Sequence, residues 1–190
     1  MAFAVAPASN LTQCYDTSLY RRSILTRKVS IPFRMMGKNT DLHLNKALVR
    51  EYEGKCSVDG YIRRNSIEVM NCSAGAVDSD NVVFTVKFEC LICNPKEGNM
   101  FNVIARNITK AGIRATTASA GAGAGASASA DEESPVVVFL AREHHLECEE
   151  FASISADDVI RVRVIGTRFE LNDAHISVIA EFVSMATRRP

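Results

Sequence analysis

Residues 82–92, VVFTVKFECLI, constrain the fold more than any other stretch of the chain. Val82, Phe84, Val86, Phe88 and Cys90 recur with period two, while Thr85, Lys87 and Glu89 occupy the alternate positions. Successive side chains on an extended backbone point to opposite faces, so this pattern predicts a strand with one face buried. Such a strand cannot stand alone and requires partners elsewhere in the chain. It also runs directly into the only Cys-x-x-Cys, Cys90 to Cys93, and then into Asn94, Pro95, Lys96, Glu97 and Gly98. That spacing raises three readings: a metal pair, a redox couple, or a strand end entering a turn.

Zinc needs a knuckle that turns both sulfurs to one side, and two further ligands. Leu91 and Ile92 instead continue the strand, so Cys90 and Cys93 face apart, and Cys14, Cys56, Cys72 and Cys148 form no second pair. A reactive thiol couple would need its first cysteine at a helix N-terminus. A strand precedes Cys90 and Asn94-Pro95 follows Cys93, so buried structural thiols are the expectation. No metal and no cofactor is predicted.

The partner strands are legible on both sides. RRSILTRKVSIP reads as a strand from Arg21 to Pro32, since proline cannot donate to a ladder. After Gly37, Thr40 or Asp41 can cap a helix whose Leu44, Leu48 and Tyr52 share a stripe and which Gly54 stops. KCSVDGYIRR and SIEVMN are short strand candidates, with Gly75 marking a break. Strand, helix and strands together predict a small α+β unit. Beyond the 94–98 turn come five further strand candidates, MFNVIARNI, GIRAT, PVVVFLA, VIRVRVIGTRFE and HISVIAEFV. Asn172 and Asp173 form a turn between the last two, and five short strands fit a small closed barrel of the OB type. The Ala/Gly/Ser tract at 117–134 reads as a flexible insert in that barrel, and residues 1–20 as a flexible extension. The resulting division is 1–20, 21–96 and 97–190.

Twenty-two basic and 22 acidic residues balance in a chain of 190, 47% of it hydrophobic. That excludes a protein whose main affinity is a diffuse electrostatic grip on DNA. No apolar run is long enough to span a bilayer, and MAFAVAPASN does not read as a secretory signal. An intracellular protein with reduced thiols is expected. His144 and His145 beside Glu143 and Glu147 point apart on an extended segment and read as structural or surface groups. Asp157 and Asp158 mark a turn before Val159. No glycine-rich phosphate loop, nucleophile elbow or metalloprotease helix is present, and no catalytic residue is predicted. Arg161, Arg163 and Arg168 are more suggestive, because Arg161 and Arg163 share the outer face of their strand.

Several segments then assemble in one order: IPFRMMGKN, YEGKC with GYI, AVDSDNVVFTVKFECLICNPKEG, NITKAGIRA and DDVIRVRVIGTRFELNDAHISVIAEF. In that order they resemble the stalk subunit of multisubunit DNA-directed RNA polymerases, the family of the seventh subunit of eukaryotic RNA polymerase II and its archaeal counterpart. The resemblance spans residues 24–182 apart from the insert, and NITKAGIRA is similar to versions carried by large nucleocytoplasmic DNA viruses. It implies an α+β chain with an N-terminal truncated ribonucleoprotein-like domain followed by a C-terminal all-β OB-fold barrel. It further implies a non-catalytic subunit that docks on the polymerase core near the clamp, pairs with a second stalk subunit, and contacts nascent single-stranded RNA. Polymerase-core contacts carried onto this chain are Ser73 and Gly75 in the loop 73–79, with Asn94, Pro95 and Gly98 in the junction turn. RNA contacts carried over are Arg114, Phe139, Arg142, Arg161 and Arg163. GIRAT lacks the stacking aromatic common in such barrels, which predicts weakened or lost RNA affinity. The implied location is the nucleus, or a viral factory or virion. The competing reading from a different class is a stand-alone single-stranded RNA-binding OB protein in RNA processing or translation.

Overall fold

The computed structural model describes residues 19–37, 39–117, 134–146 and 148–187. The first body is a six-stranded sheet with one helix. Its strands are β1 (Tyr20–Pro32), β2 (Cys56–Ser57), β3 (Gly60–Ile62), β4 (Glu68–Cys72), β5 (Ala76–Asp78) and β6 (Asn81–Cys93), and its helix α1 is Thr40–Tyr52. The period-two strand is the organiser: β6 pairs along its whole length with β1 on one edge, and with β5, β4 and β3 in turn on the other. Every second residue from Val82 to Ile92 is buried, and α1 lays Leu44 and Leu48, both fully buried, against that face. Val29 and Ile31 of β1 and Ile62 of β3 complete this core.

Two local features depart from the sequence expectation. No side chain caps α1 from the Asn39 position; instead the Thr40 hydroxyl donates to the Gly37 carbonyl at 2.7 Å and receives its N–H at 3.2 Å. The loop 73–79 contains the short strand β5, which forms a hairpin with β6 through Ser79, at φ +53.

The second body is a closed five-stranded barrel of β7 (Met100–Ile108), β8 (Gly112–Thr116), β9 (Val136–Ala141), β10 (Val159–Arg168) and β11 (Ile176–Thr187). Around the barrel the order is β7-β8-β9-β11-β10 and back to β7, with β9 and β11 parallel and the other pairs antiparallel. This order is consistent with an OB-type barrel, in which closure gives each strand a neighbour on both sides. Inward residues alternate along each strand, among them Val103, Ile113, Val138, Leu140, Ile160, Val162 and Val178. The β9-to-β10 connection carries a 3-10 turn (Arg142–His145) and the short helix α2 (Glu149–Ala152), whose Phe151 is buried in the barrel core. The Ala/Gly/Ser tract at 118–133 lies outside the described residues. Its flanks are tied together: the Thr117 and Ser134 hydroxyls meet at 2.7 Å, and the Thr117 N–H donates to the Ser134 hydroxyl at 3.1 Å.

The two bodies have separate core clusters, yet they are stitched at one junction. Cys56, Tyr61 and Cys93 belong to the first body's strands but pack into the barrel cluster, and Leu19 and Tyr20 pack against it. The Cys56 N–H donates to the Asp173 carbonyl at 2.8 Å, and the Asn172 N–H donates back to the Cys56 carbonyl at 2.9 Å. The 94–98 turn carries β6 into β7, and the Gly98 N–H donates to the Val164 carbonyl at 2.9 Å.

Candidate nucleic-acid and protein interfaces

The thiols decide whether the junction is reactive. Cys90 lies in the first core and Cys93 in the barrel-side cluster, so strand alternation places the two in different interiors. Burial pushes the Cys90 thiol up to about 11, with Asp59 adding to the rise, and burial then Asp173 does the same for Cys56. A thiol that resists ionisation is a poor nucleophile and a poor metal ligand. His145 is likewise committed. Its Nδ1 meets the Ala141 carbonyl at 2.8 Å and its Nε2 accepts the Phe182 N–H at 2.8 Å, so the ring is neutral with the proton on Nδ1. The ring stacks on Phe151 with centroids 4.5 Å apart and fastens α2 to β11. Asp157, at φ +68, forms the turn before β10 and pairs with Arg106 at 2.7 Å. Among the described residues, no group of three or more His, Cys, Asp or Glu could hold a metal ion.

The five residues carried over as core contacts do not form one patch. Ser73 and Gly75 are exposed at the β5 end of the sheet, where the Ser73 hydroxyl accepts the Thr85 N–H at 2.9 Å. An added Cβ on Gly75 would fall 2.8 Å from the Phe84 ring, so this loop lies directly on the sheet. Asn94, Pro95 and Gly98 sit at the opposite end of β6. Ten residues of extended chain from Phe84 to Asn94 correspond to about 30 Å. Pro95 is buried, and the Asn94 amide donates to the Asp59 carbonyl at 2.9 Å, so the junction turn serves the internal architecture. The β5 end, by contrast, presents apolar side chains to solvent: Phe33 is 60% exposed and Val77 69% exposed, with Met35 and Met36 beside Phe33. Phe33 is held there because its N–H donates to the Asp80 carbonyl at 2.9 Å in the β5–β6 turn. Sequence reasoning missed this cluster, although IPFRMM with a polar turn behind it was a visible signal.

The arginines also divide. Arg114 on β8 stands directly across from Phe139 on β9, and Phe139 is paired on its other side with Ile179 of β11. Together with Arg168 and His175 they line a groove of about 480 Å³ on the outer barrel surface. Arg161 and Arg163 lie elsewhere, on the half of β10 that pairs with β7, and Arg163 is matched by Glu181 at 2.8 Å. That pair is nearly half exposed on each side and adds little stability, but it cancels the local positive charge. Arg142 is half-buried under the β7–β8 turn, where its backbone N–H donates to the Ala111 carbonyl at 3.0 Å and its enclosed Nε has no hydrogen-bond partner among the described residues. Of the five RNA candidates, the fold therefore brings together Arg114 and Phe139, and adds Arg168 and His175 to them.

No protein-family model matches the chain. Two curated proteins do. The "Putative DNA-directed RNA polymerase subunit L376" of Acanthamoeba polyphaga mimivirus is 24% identical over 188 residues, covering 90% of this chain and 85% of that protein. The DNA-directed RNA polymerase II subunit RPB7 of Glycine max is 22% identical over 166 residues, covering 79% of this chain and 85% of that protein. Alignments of that extent reach into both the sheet-and-helix body and the barrel, and the chain is thus similar, along most of its length, to a putative viral subunit of DNA-directed RNA polymerase and to the plant subunit RPB7.

Proposed function

We propose that the protein is a non-catalytic stalk subunit of a DNA-directed RNA polymerase. In this reading the first body is a truncated ribonucleoprotein-like domain that docks near the clamp, and the barrel is an OB domain beside the emerging transcript. A second stalk subunit pairs with it. The observation that carries the proposal is the length of the similarity: 90% of the chain aligns with a viral polymerase subunit, so both bodies are involved and not the barrel alone. The exposed apolar end at Phe33, Met35 and Val77 supplies the apolar centre that a protein interface needs, with Ser73 and Gly75 at its border. Asn94, Pro95 and Gly98 then act by fixing the angle between docking end and barrel. RNA contact falls to Arg114 and Phe139, with Arg142, Arg161 and Arg163 outside their groove.

Affinity capture of the tagged chain from its native host, identified by mass spectrometry, tests this directly. Large polymerase subunits should copurify, and the double variant Phe33→Ser/Val77→Ser should release them while leaving the unfolding midpoint unchanged. Capture of ribosomal or RNA-processing proteins without polymerase would favour the stand-alone RNA-binding reading.

A further inference from the structure

Two stretches of the chain set basic residues three and two positions ahead of a serine, with an isoleucine directly behind it: Arg27-Lys28-Val29-Ser30-Ile31 and Arg63-Arg64-Asn65-Ser66-Ile67. An arginine-directed serine kinase reads that pattern in extended chain, with carboxylates for the two cations and an apolar pocket for the residue after the serine. The fold treats the two stretches differently. Ser30 sits inside β1, which is paired with β6 along its whole length, and its neighbours Val29 and Ile31 are buried. Ser66, half-buried, instead follows the turn between β3 and β4, where Arg64 and Asn65 are exposed and Asn65 stands at φ +55.

The bonds that close this turn converge on Ser66. Its hydroxyl donates to the Arg63 carbonyl at 2.6 Å and accepts the Leu91 N–H of β6 at 3.3 Å. Glu53, just past the end of α1, accepts the Ser66 N–H at 3.2 Å together with those of Asn65 and Ile67. Beyond the turn β4 begins weakly: Glu68 stands opposite Glu89, and Arg22 offsets only part of that repulsion from 3.0 Å away.

We infer that Ser66 is a phosphorylation site, taken by an arginine-directed serine kinase when the β3–β4 turn opens, and that its phosphate keeps the turn open. In the transfer the bond between the β- and γ-phosphates of ATP breaks, the γ-phosphoryl joins Ser66 Oγ, the hydroxyl proton passes to the kinase's base, and ADP leaves. The ester oxygen has then lost the hydrogen it gave to the Arg63 carbonyl, and two acceptors cannot stay 2.6 Å apart. The phosphate also brings a charge of about −1.5 to −2 beside the Glu53 carboxylate, which repels it from the three N–H groups it anchors. Arg64, exposed on the same turn, offers the phosphate a cation on the solvent side. Opening frees Ile67 and Val69 from the first core and loosens β4, the strand that leads into the 73–79 loop. The inference concerns the chain's own turn and does not depend on the polymerase reading.

The test incubates the full chain with Mg-ATP and the catalytic subunit of cyclic-AMP-dependent protein kinase, and maps phosphate by tandem mass spectrometry over time. Ser66 should be labelled and Ser30 should not, because Ser30 is reached only by global unfolding. Labelling tracks the open population when the turn opens and closes faster than transfer. Glu53→Ala removes the anchor and should speed Ser66 labelling about tenfold. Arg64→Gln should slow it about tenfold. In the phosphorylated chain the N–H groups of Asn65, Ser66, Ile67 and Leu91 should exchange about tenfold faster, with β1 unchanged. No phosphate on Ser66, labelling of Ser30 at the same rate, or a Glu53→Ala variant labelled no faster than the parent overturns the gated site. Unchanged exchange at residues 65–67 in the phosphorylated chain overturns the switch.

Discussion

Replacing Gly60 by alanine should loosen the junction between the two bodies. Gly60 opens β3 at φ +129, a backbone conformation that L-residues rarely adopt, and its ideal Cβ would lie 2.5 Å from the Cys93 carbonyl oxygen and 2.9 Å from the Asn94 Cβ. The strained dihedral alone costs about 1–3 kcal/mol. The obstructing oxygen is main chain in β6, so it cannot rotate away; β3 must back off, weakening its pairing of Tyr61 with Cys93 and Ile62 with Ile92. One or two weakened ladder hydrogen bonds add about 0.5–1.5 kcal/mol each, for a total of about 1.5–6 kcal/mol with its middle at about 3–4 kcal/mol. With a urea slope of about 2 kcal/mol per molar, the unfolding midpoint should fall by about 1.5–2 M. Gly98→Ala is the matched control, since Gly98 has φ +83 but nothing within 4 Å of its Cβ. It meets dihedral strain of about 1–2 kcal/mol without collision and should lose only about 0.5–1 M. Amide exchange adds position: in Gly60→Ala the Cys56 and Asn172 N–H groups, which bridge the bodies, should exchange faster, and in Gly98→Ala they should not. If the two variants unfold at the same urea concentration, β3 is not clamped against β6 and the account of the junction is wrong.

Glu53 accepts the N–H groups of Asn65 at 3.0 Å, Ser66 at 3.2 Å and Ile67 at 3.1 Å, so it anchors the turn between β3 and β4. Glu53→Ala should cost about 2 kcal/mol and Glu53→Gln about half of that, with faster amide exchange confined to residues 65–67; equal melting of both variants and parent would refute the anchor. Cys56 and Cys90, raised to about 11 by burial, should react with a thiol reagent at pH 8 roughly a hundredfold more slowly than an open cysteine. Their raised values favour the folded state fully below the unfolded cysteine range near pH 8.5, and this contribution is lost as pH rises toward about 11, so the parent should lose more stability between those limits than the Cys90→Ala variant does.

The parts of the molecule that were legible in the sequence are those where a side-chain period reports burial. Residues 82–92, the Leu44/Leu48 stripe and the outward Arg161/Arg163 pair all appear where alternation or helical spacing puts them. The short strand β5 was not legible, because Ala76, Val77 and Asp78 are all exposed and leave no alternation to read. The parallel β9–β11 pair was hidden for a different reason: it depends on how the 3-10 turn, α2 and β10 return the chain, which no local pattern encodes. The same non-locality explains the site. Arg114 and Phe139 are 25 positions apart in sequence yet opposite in the barrel, while Arg163, close in sequence to Arg168, faces Glu181 on the other half. Stitching of Cys56 to Asp173 is made by main-chain atoms, and these carry no residue signature at all.

The paired hydroxyls of Thr117 and Ser134, 2.7 Å apart, fasten the end of β8 to the start of β9. With those two ends clasped by the barrel itself, added chain between them costs little, since doubling a loop adds only about 0.6 kcal/mol of closure entropy. That makes the position a natural port for splicing in an epitope, a fluorophore carrier or a whole small module.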